Sequence, residues 1–378
     1  MPRVPVATTP IKHVIIVVGE NRSFDNLFAT YQPPDPSQAI WNLLSKNMVN
    51  PDGSPGANFS QAAQQQATDT DVYRLSPAHT GPFQTLPQPN TTLTDLLFPP
   101  AIEFGLSSDP ALAAADQGLL NAGGIFPQVL SVPDSRFPAN LPNGPFPISK
   151  YVKYDDNVGD PVHRFYQMWQ QIDCSVANIS SANPSGCLTD QFPWVATTVG
   201  WGQSNVPPPA PFTDESTWQG AVSMGFYNMA GGDVPYFASL ADQYAISDNY
   251  HQFMLGGTGP NSISIGTADP LIFNDASGKA ATPPALQIEN PNPYPGSNNW
   301  YQQEGFYIID SGNQSNASYT NCSDSSQPGV ESIMNYLSAL PYRPFNGGNC
   351  ASGVYYLLNN QLPTYERDGT VRGDQSHT

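Results

Sequence analysis

The stretch that most constrains this chain is Pro10 to Tyr31, PIKHVIIVVGENRSFDNLFATY. Val14 to Gly19 is apolar or small and mostly β-branched, too short for a helix, and it runs straight into Glu20, Asn21, Arg22 and Ser23. The pattern predicts a buried strand that empties into polar side chains. In a mostly parallel sheet the carboxyl ends of the strands open on to the ligand crevice, so Glu20 and Asn21 are site candidates by position alone. A carboxylate beside an amide oxygen suits a hard or borderline divalent cation, and a chain turning off the strand end can bring both to one centre. The plainer alternative is that Asn21 or Ser23 caps a helix over Phe24 to Ala29, with Glu20 solvated at the rim.

A buried strand needs a core around it, and 378 residues supply one, as one large α/β domain or two smaller ones. Charge narrows the partners. With a formal net charge of -18 at pH 7 and a sequence pI near 4.3, the surface repels nucleic acid and anionic headgroups at long range. Nucleic acid is therefore excluded as a partner. No apolar run approaches the length of a membrane span, and no feature specifies a subunit number.

Four cysteines fall in two sequence-local pairs set in Asn/Ser/Gly-rich loops, which predicts Cys174 with Cys187 and Cys322 with Cys350, although four cysteines allow three connectivities. The alternative is four buried thiols, and no spacing suggests zinc held by cysteine. Oxidised cysteines imply a secreted or periplasmic protein. The sequons at Asn58, Asn90, Asn313 and Asn316 agree with that at low weight, and a start of MPRVPVATTP, with no apolar core, implies that a leader has been removed.

Pro, Gln, Asn, Ser and Thr dominate Gln32 to Pro100, which reads as a surface excursion with a helix near Gln38 to Lys46 and an Ala/Gln helix near Ser60 to Thr68. His79, in SPAHTGP, reads most simply as a loop residue. Pro/Gly-punctuated loops continue to residue 150, with one helical word at Asp109 to Leu120. Beyond them, Val162, Phe165, Met168 and Trp169 recur at helical spacing after Gly159-Asp160-Pro161, placing His163 in a first helical turn. Such a histidine is more often structural than functional. Further helices are expected at Pro235 to Tyr244, Asn261 to Thr267 and Val330 to Leu340, and strands at Ala245 to Asp248, Leu271 to Phe273 and Gly305 to Ile309. Aromatics at Phe192 to Trp201 and Trp218 to Tyr227 could hold a choline headgroup, but more often such residues form core.

One further word carries chemistry. Gly256-Gly257-Thr258-Gly259-Pro260-Asn261 sets a hydroxyl in a glycine-rich turn before a helix, where backbone N–H groups and the helix dipole favour an anion. A lone Gly-Gly-x-Gly is weak evidence, and an ordinary turn is the competing reading.

The word IKHVIIVVGENRSFDNLF resembles the opening of the bacterial and fungal phosphoesterase family of phospholipases C and acid phosphatases, and Asp160-Pro161-Val162-His163, the Thr258 turn and NCSDSSQPGV extend the likeness across nearly the whole chain. The resemblance implies an alkaline-phosphatase-like α/β fold, a central mixed sheet flanked by helices with large loop insertions. Residues 1–378 then form one phosphoesterase domain, with 32–150 a loop-rich insertion. By matching position it implies a divalent metal at Glu20, Asn21 and Thr258, Thr258 as nucleophile through a phosphothreonine, and His163 at the phosphate or leaving group. Asn261, His251 and Arg22 become substrate-side residues, and an arginine such as Arg22 or Arg164 would supply local charge for phosphate. The implied partner is a phosphoester small molecule or phospholipid headgroup. The family also carries a late acidic metal segment. This sequence ends at GTVRGDQSHT before one, and neither Asp374 nor His377 replaces it, so the chain reads as C-terminally incomplete, with later strands missing. The alternative from another class is an exported binding protein that retains half of the metal site.

Overall fold

The computed structural model describes residues 9–19, 22–69, 73–92, 131–154, 162, 164–198, 220–275, 277–289, 291, 318–341 and 350–358. Its first regular element is a helix, α1 (Phe24–Phe28), whose N-cap Ser23 accepts a hydrogen bond from the Asn26 amide at 3.2 Å. The strand expected at Val14 to Gly19 is not formed. Val14, Ile15, Ile16 and Val17 are 77%, 87%, 80% and 86% exposed. Branched side chains favour extended backbone, but a buried strand exists only where neighbours pair with it, and none of the described strands pairs with this run.

The described strands form four two-stranded ladders. β1 (Gln65–Thr68) pairs antiparallel with β2 (Ala78–Pro82), and β3 (Asn90–Thr92) pairs antiparallel with β4 (Ser131–Pro133). β5 (Phe146–Pro147) pairs parallel with β6 (Gly225–Phe226), and β7 (Tyr319–Thr320) antiparallel with β8 (Tyr356–Leu357). The other α-helices among the described residues are α2 (Phe165–Ile172), α3 (Phe192–Thr198), α4 (Pro235–Gln243), α5 (Thr258–Thr267) and α6 (Val330–Ala339). The architecture is mixed α/β, its helices interleaved with small sheets.

Three local expectations are overturned by tertiary contacts. Ser60 to Thr68 is not one helix: a short 3-10 turn, Phe59–Ala62, leads into β1. Ala and Gln favour a helix by only a few tenths of a kcal/mol per residue, less than the ladder to β2 and the bond from the Gln65 amide to the Asp190 carbonyl return. Gln38 to Lys46 forms turns, because buried Asn42 donates to the Phe28 and Tyr31 carbonyls and accepts from the Ser45 amide, giving the backbone an alternative to a helix. Ala245 to Asp248 is not a strand; Asp248 instead accepts the Trp41 amide. Leu271 to Phe273 contributes a bridge at Ile272 and backbone bonds to the β8 region. Asp109 to Leu120 and Gly305 to Ile309 lie outside the described residues.

Packing is divided among several small clusters. One gathers Leu86, Phe137, Leu141, Phe146, Ile148, Val152, Val222 and Tyr227, so the long excursion after α1 packs into the fold. Another joins Tyr73, Leu75 and Tyr166 to Ile333 and Tyr336 of α6. The most buried face of α2 differs from the apolar spacing of its sequence. Tyr166, Gln167, Gln170 and Gln171 are buried, while Phe165, Met168 and Trp169 are only half-buried. Each glutamine amide finds an acceptor: Gln167 the Pro291 carbonyl at 2.6 Å, Gln170 an Asp69 carboxylate oxygen at 2.8 Å, Gln171 the Val162 carbonyl at 2.7 Å. Those bonds offset the cost of burying polar groups. Trp194, Val195, Phe226 and Tyr227 are buried, which favours the core reading of the aromatic segments where they are described.

Both expected disulfides are present, Cys174–Cys187 and Cys322–Cys350. No helix among the described residues is long and apolar enough to cross a membrane.

Candidate functional site

The glycine turn before α5 is built by close approach. A Cβ on Gly256 would lie 2.6 Å from the Leu358 carbonyl oxygen, and the Gly257 amide donates to that same oxygen at 2.8 Å. Gly256 is therefore required by space, and the contact holds the turn against the residue that follows β8. Gly257 is the N-cap and Thr258 the first residue of α5, half-buried, with Pro260 two positions on. The hydroxyl thus sits at the positive end of a helix dipole, where a phosphoryl group is favoured.

Asn261 lies one turn further on and is spent on shaping the loop. Its Oδ1 accepts the Met254 amide at 3.0 Å, and its Nδ2 donates to the Met254 and Gly257 carbonyls at 3.2 and 3.0 Å, with Gly256 more distant at 3.4 Å. At about 1 kcal/mol net per bond, this network fixes where Thr258 stands. His251 is exposed, with Nε2 2.9 Å from the Asn249 Oδ1.

Arg22 is also exposed. Its guanidinium lies 5.6 Å from the centre of the Tyr227 ring, a contact worth about 0.5–1 kcal/mol that orients the side chain without neutralising it. The backbone beneath is fixed because Asn26 of α1 donates to the Gly225 carbonyl and accepts the Tyr227 amide, both at 2.7 Å. Arg164 is different: it is buried in an ion pair with Glu289, so it is a structural cation and not a free source of charge for phosphate. Glu20, Asn21 and His163 lie outside the described residues. The structure therefore joins Asn261 to the Thr258 turn and Arg22 to Tyr227, and the meeting of Glu20, Asn21 and Thr258 remains an expectation.

A second constellation, absent from the sequence reading as a group, lies at His79, Asp173 and Asp190. His79 is on β2, not in a loop, and its Nε2 is 2.9 Å from Asp173 Oδ2 and 3.9 Å from Asp190 Oδ1. One ligand atom from each of the three lies within 4.8 Å of the other two, and among the described residues no other group of three or more His, Cys, Asp or Glu meets that spacing. Burial and the adjacent Asp173 carboxylate push the Asp190 carboxyl up to about 6, with His79 pulling the other way. A signal was available in the sequence. Asp173 precedes Cys174, Asp190 follows Cys187 by three residues, and the pairing of those cysteines draws the two acids together.

The family model described as "Phosphoesterase family" matches residues 110–339, more than half of the chain and downstream of the Glu20 word. No solved structure matches.

Proposed function

The chain belongs to the phosphoesterase family, and from that premise we propose that it is a metal-dependent hydrolase of phospholipase C type, one exported domain working through a phosphothreonine at Thr258. The observation that carries the proposal is the Thr258 turn: a hydroxyl at a helix N-terminus, held by Asn261 and by a glycine that nothing larger can replace. Carboxylate, amide oxygen and hydroxyl are three oxygen donors of the kind a hard or borderline divalent cation takes, so Glu20, Asn21 and Thr258 fit the implied metal by chemistry. When bound, such a cation supplies charge neutralisation at the phosphoryl group and a lowered hydroxyl pKa.

The residues of the chain do the rest. Thr258 releases its hydroxyl proton to solvent, its Oγ forms the bond to phosphorus as the ester P–O bond breaks, and protonated His163 gives its proton to the departing alkoxide. Water then attacks phosphorus, releasing phosphate, or a phosphomonoester lacking its second alcohol, and freeing Thr258. Arg22 and His251 are assigned to the substrate side and Asn261 to positioning. The two cystines support export, because disulfides persist in oxidising compartments.

Acid quenching during turnover, followed by peptide mapping, tests the intermediate: phosphate is expected on Thr258, and phosphate on another residue, or on none under burst conditions, overturns the assignment. Rates on a phosphocholine diester and a chromogenic phosphomonoester, each with and without chelator, test the class. Preference for the diester and loss with chelator are expected. Preference for the monoester assigns the acid phosphatase reading instead, and binding without turnover assigns the non-catalytic one.

A further inference from the structure

We propose that His79, Asp173 and Asp190 form a binding site for a divalent transition-metal ion of borderline character, one that ties the β1–β2 hairpin to the disulfide loop after α2. None of the residues of the Thr258 turn takes part.

The argument starts from unpaired oxygens. Asp173 is buried, its side chain only 1% exposed, and its Oδ1 has no hydrogen-bond partner; Asp190 Oδ1 is buried too, with the His79 imidazole no nearer than 3.9 Å. A buried carboxylate oxygen without a donor is costly, and here two carboxylates face one another beside a single imidazole. A cation between them removes both penalties. One nitrogen and two oxygens suit zinc or manganese better than calcium, which takes oxygen alone. Ligand atoms at 2.0–2.2 Å from a tetrahedral ion stand about 3.3–3.6 Å apart, and the observed separations of 2.9 and 3.9 Å from His79 Nε2 straddle that range.

The frame around the three side chains is rigid. Cys174 and Cys187 are joined as a disulfide and as an antiparallel bridge, and the Leu188 amide donates to the Asp173 carbonyl at 3.1 Å. The Gln65 amide donates to the Asp190 carbonyl at 2.6 Å, and the β1–β2 register sets Ala67 opposite His79. Asp173 caps α2 in the left-handed region, with φ of 45°, and Thr189, beside Asp190, has φ of 60°. Backbone strain of this kind persists where the surroundings over-determine it. His79 is the most exposed of the three, at 33% against 13% for Asp190, which gives an ion a way in.

The test is zinc titration by calorimetry of the full chain after stripping with chelator, beside His79→Gln, Asp190→Asn and Glu20→Gln. A zinc equivalent is expected that weakens about 100-fold or more in His79→Gln and in Asp190→Asn, since losing a ligand costs more than the roughly 10–100-fold of an outer-shell partner. Glu20→Gln should leave that equivalent intact, which separates this site from the metal of the proposed hydrolase. Thermal melting of each variant in chelator checks folding, and should either His79 or Asp190 variant fail it, cobalt absorption of the wild type replaces that comparison. Bands of a cobalt site with one imidazole and oxygen ligands are expected. Zinc binding unchanged in both variants, no uptake by the wild type, or a cobalt spectrum of hexa-aqua character overturns the proposal and leaves a histidine with two aspartates sharing a proton.

Discussion

The Thr258 turn and the His79–Asp173–Asp190 group are built in opposite ways. The turn is made largely within one short word: Asn261 bonds to Met254, Gly256 and Gly257, and Leu358 closes on it from outside. The acid–histidine group is assembled from three separate segments, one of them about a hundred residues from the others, held by a ladder, a disulfide and backbone amide bonds. A site made of neighbours can be read letter by letter. A site made by folding is visible only through whatever device brings its parts together, here the cystine.

That contrast can be broken or sharpened by experiment. The largest effect is expected from Thr258→Val in an active preparation, which should lower kcat on the order of 10^4-fold or more by removing the nucleophile; near wild-type kcat would erase the distinction between a working turn and a decorative one. Next comes the cystine. Replacing Cys174 and Cys187 by serine should cost roughly 3 kcal/mol in chemical denaturation, because closing a short loop constrains the unfolded chain; a change well under 1 kcal/mol would mean that the hydrogen bonds alone hold Asp173 near Asp190. Asn261→Ala should cost about 1–3 kcal/mol by leaving buried backbone groups unpaired, and it should lower kcat more than it raises KM, since the nucleophile moves while the substrate side stays. An unchanged kcat would show that Asn261 does not position Thr258.

The smallest effect concerns pH. The Asp190 carboxyl lies above its ordinary 3.8, at about 6, so the native protein holds this proton over a range where the unfolded chain has released it. In chelator, the stability contributed at Asp190 is therefore full below the lower value and declines as pH rises to the upper one. Asp190→Asn should flatten that slope in thermal melts taken across the window, and an identical slope in both proteins would place the carboxyl elsewhere in the titration.

Much of the local structure was legible. Ser23 caps α1, α4 begins at Pro235, α6 begins at Val330 as expected, α5 starts at Thr258, three residues before its expected start, and the cysteines pair with their sequence neighbours. What escaped depends on partners distant in sequence. The Val14 run has strand chemistry but no described strand beside it, whereas Gln65 to Thr68 has helical chemistry and becomes a strand because β2 lies alongside. Of the site residues, the Thr258 word was readable from its glycines. The role of Arg164 was not, since nothing in DPVHRFY announces Glu289 as its partner.

The glutamine face of α2 makes this helix genetically fragile. Codons for glutamine and glutamate differ at one base, so a single nucleotide change at Gln167, Gln170 or Gln171 exchanges a neutral donor for an anion with the same outline. At Gln170 the new charge would stand against the Asp69 carboxylate now 2.8 Å from its amide, trading an attraction for a repulsion inside the protein. Drift in this gene should therefore be far freer at the half-exposed Met168 than at the three positions that share its helix.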